Sequence, residues 1–127
     1  MGGLPQWVWE KLAIKLNDKG YVVLTNCADK KEEPIKGTKG IFIPYKDLKC
    51  FLECSGFLVA MRSGFCEVVS SIKCRKIILY APNIYWGEGT CTDYFSMKKM
   101  GLCEDAKELE YKGIEFENYI DEIMENF

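Results

Sequence analysis

Four short apolar runs alternate with stretches of helical period, and this alternation narrows the fold more than any other feature of the chain. The runs are YVVLT at 21–25, GIFIP at 40–44, GFLVAM at 56–61 and KIILY at 76–80. The first is continuously apolar rather than alternating, as in a strand of a parallel sheet covered on both faces. Before it, Trp9, Leu12, Ala13 and Leu16 recur at helical spacing, behind a Pro5 placed where a first turn tolerates it. Gly20 stands where that helix needs a left-handed cap. Leu48, Phe51 and Leu52 mark a helix over 45–55, and Phe65, Val68, Val69 and Ile72 mark another over 62–74. The order α-β-β-α-β-α-β predicts an α/β fold, a Rossmann-like parallel sheet flanked by helices, with 1–127 as a single domain.

Two stretches depart from the alternation. Residues 26–40 are polar and rich in turn formers, so they read as a loop. Residues 83–113 show no period beyond a short helical stretch at 94–100 and are expected to be irregular. A C-terminal helix follows over 114–127, with Phe116, Tyr119, Ile120, Ile123, Met124 and Phe127 on its apolar stripe.

Composition removes several function classes. With 17 Lys and Arg against 19 Asp and Glu, the chain lacks the basic footprint of a nucleic-acid binder. The longest apolar runs are too short to span a bilayer, and the N-terminal stretch is broken by Glu10, Lys11 and Lys15, unlike a signal peptide. The expected location is the cytoplasm. There is no His, which removes every catalytic scheme that uses one. The seven Cys are odd in number and contain no CxxC pair, so neither a disulfide framework nor a zinc site is expected. They read as buried thiols acting as small hydrophobes.

In a parallel sheet, ligands bind outside the carboxyl ends of the strands. Four clusters fall there: Thr25-Asn26, Pro44-Tyr45, Arg62-Ser63-Gly64 and Ala81-Pro82-Asn83. The third joins an apolar strand directly to a helix. There, backbone N–H groups at a helix start, a glycine that permits close approach and a guanidinium fork are suited to phosphate oxygens. Glu67, one turn on, is placed to accept from a ribose or sugar diol. A plainer reading stays open. Ser63 serves as an N-cap, Glu67 is a solvated charge one residue beyond the capping-box position, and Arg62 pairs with a surface carboxylate.

The stretch GFLVAMRSGFCEVVSSIKCRKIILY resembles the strand-helix-strand core of the C-terminal, nucleotide-sugar-binding domains of bacterial GT-B glycosyltransferases. The upstream WEKLAIKLNDKGYVVLTN resembles the helix-strand unit of the same domain, and the resemblance covers residues 4–82. It implies that Arg62, Ser63 and Gly64 face the donor diphosphate and that Glu67 faces the ribose or sugar. It places Thr25, Asn26, Pro44 and Tyr45 near the nucleotide. The ligand so implied is a nucleoside diphosphate-sugar donor, with no other cofactor and no metal. The family also has a strand before the first helix, for which this sequence leaves no room, and an acceptor-binding half, which it does not encode. The expectation is therefore a truncated domain that binds the donor without transferring it alone. It would pair with a separately encoded N-terminal half or form a homodimer. The competing reading is a non-catalytic interaction or structural module that binds a partner chain. A receiver-like module fits less well, because its acidic cluster and Lys are not found at the strand ends.

Overall fold

The computed structural model describes residues 4–61, 63–80, 96–102, 106–110 and 116–127. The fold is mixed α/β. Helix α1 spans Gln6–Asp18, strand β1 Leu24–Asn26 and strand β2 Lys39–Ile41. A 3-10 turn over Tyr45–Asp47 leads into α2, Leu48–Ser55. Then come β3 (Phe57–Met61), α3 (Gly64–Val69), β4 (Arg75–Tyr80), β5 (Lys107–Glu110) and α4 (Phe116–Met124). Two compact units emerge, residues 46–115 with 1–4, and residues 5–45 with 116–127. In place of the one sheet expected from sequence, the described strands form two, β1-β2 and β3-β4-β5, parallel throughout.

In the unit of residues 5–45 and 116–127, α1 packs against α4. The buried residues are Val8, Leu12, Ala13 and Leu16 on α1 and Tyr119, Ile120 and Ile123 on α4. Each fully buried Val, Leu or Ile among them contributes about 1.5–3 kcal/mol. The end of α1 is a Schellman motif. Tyr21 N–H donates to Leu16 O at 3.0 Å and Gly20 N–H to Asn17 O at 3.0 Å. Gly20 has φ +91°, the left-handed conformation that its sequence position predicts. Beyond it, the ring of Tyr21 meets that of Phe127 edge-on, with centroids 5.5 Å apart.

The run YVVLT differs from its expected form. Only Leu24–Asn26 is strand, and Val22 is 85% exposed, so this sheet is not covered on both faces. The polar loop after β1 is held from within. The hydroxyls of Thr25 and Thr38 lie 2.6 Å apart, and Ile35 N–H donates to Thr25 Oγ1. Asn17 Nδ2 donates to Gly37 O at 2.8 Å.

In the unit of residues 46–115, β4 is central and buried from Lys76 to Tyr80. Alternate residues of β4 face opposite ways. Ile78 and Tyr80 form a core with Cys66 of α3, Met97 and Ala106, and half-buried Ala60 and Leu102 pack against it. Leu48 and Leu52 are the buried residues of α2, which packs on β3 and ends at Gly56 with φ +82°. Strand β5, KELE, lies inside the stretch expected to be irregular. Its alternation of charged residues around Leu109 suits an outer strand and gives no apolar run to read. Most of the remainder of 83–113 lies outside the described residues. Of the short helix expected at 94–100, residues 97–100 are turn and Tyr94 and Phe95 lie outside the described residues.

Helix α3 is shorter than its pattern predicts. It ends at Val69, and the chain closes through turns from Ile72 N–H to Val69 O and from Cys74 N–H to Ile72 O. Cys66 and Val69 are fully buried, whereas Val68, expected inward, is 47% exposed. Lys76 is buried at the start of β4, and its ammonium donates to Ile72 O and Cys74 O. The buried cation is thus satisfied by charge-assisted hydrogen bonds to two carbonyls of the turns that follow the helix.

Candidate functional site

The turn from β3 into α3 is set by the sheet. Strand β3 pairs in parallel with β4 over its full length, from Phe57 opposite Arg75 to Met61 opposite Leu79. The chain therefore leaves β3 at the carboxyl edge of the sheet and must cross over to regain the start of β4. It does so through α3, which begins three residues after Met61. Ser63 is the N-cap residue, exposed and extended at φ −162° and ψ 179°, and its hydroxyl does not cap the helix. The first turn is instead secured by Cys66. Its N–H donates to Ser63 O at 3.0 Å and its thiol to Met61 O at 3.3 Å. Gly64 opens the helix, and Arg62 lies outside the described residues.

Glu67 lies on α3 with its side chain exposed, and its carbonyl accepts from the Ser70 hydroxyl at 2.8 Å. Ser63, Gly64 and Glu67 therefore lie on one short helix and its N-cap, where the chain leaves β3. Thr25, Asn26, Pro44 and Tyr45 belong to the other unit. There, Thr25 sits in the hydroxyl network with Thr38, and Asn26 Oδ1 accepts from Ile43 N–H at 3.3 Å. Pro44 is half-buried and Tyr45 is 67% exposed.

A polar cluster with no counterpart in the sequence reading lies on β4 and β5. Glu108 Oε1 accepts from Tyr80 Oη at 2.5 Å and from Met97 N–H at 2.6 Å, and Oε2 accepts from Ser96 Oγ at 2.7 Å. Burial alone raises the Glu108 carboxyl. The hydrogen bonds from Tyr80, Ser96 and Met97 and the positive charge of Lys98 outweigh it and hold the group below its ordinary value. Ser96 Oγ also accepts from Lys99 N–H at 3.3 Å, so one carboxylate fixes the turn at 96–102 on the sheet. The nearest sequence signal is the charge at the second position of KELE, which reads equally well as a solvated residue.

The Cys expectation needs correction. Cys27 and Cys66 are buried and Cys74 is half-buried, but Cys50 and Cys54 are exposed and free. Both lie on the face of α2 away from Leu48 and Leu52, so the helix covers its apolar stripe without them. Among the described residues, no group of three Cys, Asp or Glu is placed to hold a metal ion, and no helix is long and apolar enough to cross a membrane. Comparison with protein-family models, curated proteins and solved structures gives no match for this chain.

Proposed function

We propose that the unit of residues 46–115 binds a nucleoside diphosphate, as carried by a nucleotide sugar, at the turn from β3 into α3. The observation that carries this reading is the direct passage from the carboxyl end of a parallel strand into a helix whose N-cap residue, Ser63, is exposed. Ligands of open parallel sheets collect at that edge, and backbone N–H groups at a helix start favour an anion. In this reading the fold is Rossmann-like. Arg62, Ser63 and Gly64 hold the diphosphate, and Glu67 accepts from a ribose or sugar hydroxyl. The GT-B resemblance of residues 56–80 supports the choice of a nucleotide-sugar donor over other anions. Thermal unfolding with added nucleoside diphosphate tests it. A ligand at a hundredfold its dissociation constant stabilises the folded chain by about 2.7 kcal/mol. A melting temperature unmoved at millimolar nucleotide counts against the reading.

The second reading, an interaction module without a small ligand, draws support from the other unit. Val22, Phe42 and Tyr45 are 85%, 61% and 67% exposed there, all large side chains close to β1 and β2 in sequence. Under this reading, nucleotides leave the melting temperature unchanged, while Val22→Ser with Phe42→Ser abolishes self-association seen by sedimentation.

A further inference from the structure

The packing of the described residues does not use the two exposed thiols of α2. Cys is among the residue types most often buried, and this chain buries Cys27 and Cys66. Cys50 and Cys54 instead stand four residues apart on one helix, both exposed and both free of disulfide. At 100° per residue they project from one side of α2, opposite the buried Leu48 and Leu52.

The spacing decides what such a pair can hold. Residues four apart on a helix have Cβ atoms about 5–6 Å apart. A disulfide needs about 3.5–4.5 Å, so a direct bond would require the helix to distort. A single bridging atom has no such conflict, since two metal–thiolate bonds of about 2.3 Å span up to about 4.6 Å between sulfurs. Thiolates select soft cations. No third Cys, Asp or Glu joins the pair among the described residues, which disfavours a tetrahedral ion and favours one that is content with two ligands.

We propose that Cys50 and Cys54 form a two-thiolate site for one soft d10 cation of the copper(I) class. On binding, each thiol releases its proton to solvent and each sulfur forms one bond to the metal. The copper stays in the monovalent state, so no oxidant or reductant is consumed.

The test is an anaerobic competition in which the full chain withdraws copper(I) from a chromophoric chelator, with metal per chain as the readout. The wild type is expected to take one equivalent that Cys50→Ser and Cys54→Ser each abolish. Both positions are exposed, and circular dichroism verifies that the variants keep their helix content. A further variant, Cys54→Ser with Ser55→Cys, keeps the number of thiols but turns the second by about 100° around the helix. It is expected to remain empty. Retention of the equivalent by either single variant, by the double Cys50→Ser/Cys54→Ser variant or by the displaced-thiol variant overturns the proposal.

Discussion

Tyr80 at the end of β4 donates its hydroxyl proton to Glu108 of β5 across 2.5 Å, and the same carboxylate secures Ser96 and the Met97 amide. Three donors from two segments thus converge on one charge. Glu108→Gln keeps the shape but removes the charge and one set of acceptor lone pairs. The expected cost is about 1–3 kcal/mol, the range for weakened charged hydrogen bonds. Exposed Glu53→Gln on α2 is expected to stay within about 0.5 kcal/mol. Urea unfolding measures both, and equal midpoints would show that the cluster contributes nothing.

The same group gives a pH dependence of defined sign. The folded-state pKa of Glu108 lies below its value in the unfolded chain. Its contribution is therefore complete above the unfolded value, about 4.3, and is lost as the pH falls through the folded value. Wild type is expected to lose stability below about pH 4.3 more steeply than Glu108→Gln. Parallel stability profiles for the two proteins down to pH 3 would contradict this, with ~4.3 as the reference point.

Gly20 is required by its backbone and not by its surroundings. Its φ is +91°, and a Cβ built there meets nothing within 4 Å. Gly20→Ala is expected to cost about 1–2 kcal/mol, the penalty of a left-handed conformation for an L-residue. Gly20→Asn is expected to cost less, because Asn tolerates that region. A loss for Asn as large as that for Ala, read from thermal unfolding, would point to a steric cause instead.

Lys76 ties the end of the α3 crossover to β4 through Ile72 O and Cys74 O. Lys76→Met keeps most of the buried volume and strands those carbonyls. A loss of about 1–3 kcal/mol is expected, the cost of buried unsatisfied polar groups. A neutral or stabilising outcome in urea unfolding would show that water or a relaxed turn satisfies them.

The helices and strands were legible where apolar residues carry a clean period. Leu12, Ala13 and Leu16, Leu48 and Leu52, and the run from Ile77 to Tyr80 are buried as their spacing implies, whereas the first turn of α1 buries Val8 and leaves Trp9, expected inward, half-buried. Gly20 announced its own cap. What the sequence concealed depends on long-range pairing. The division into two sheets turns on which strands find one another, and YVVLT reads as fully buried although Val22 lies open. Strand β5 carries one buried apolar residue and owes its place to β4. Of the candidate site, the strand-to-helix turn at Ser63 was legible because a polar-Gly pair follows an apolar run. The role of Glu108 was not, since its three donors come from residues 80, 96 and 97.

The central claim, a nucleoside diphosphate held where β3 turns into α3, is tested most directly by calorimetric titration of the wild type and Arg62→Ala. The reading predicts saturable binding of a nucleoside diphosphate or its sugar by the wild type. Charge-assisted hydrogen bonds contribute about 1.5–3 kcal/mol, so the folded variant should bind about tenfold or more weakly. Equal affinities, or no heat of binding from a folded wild-type chain across the common nucleoside diphosphates, would contradict it.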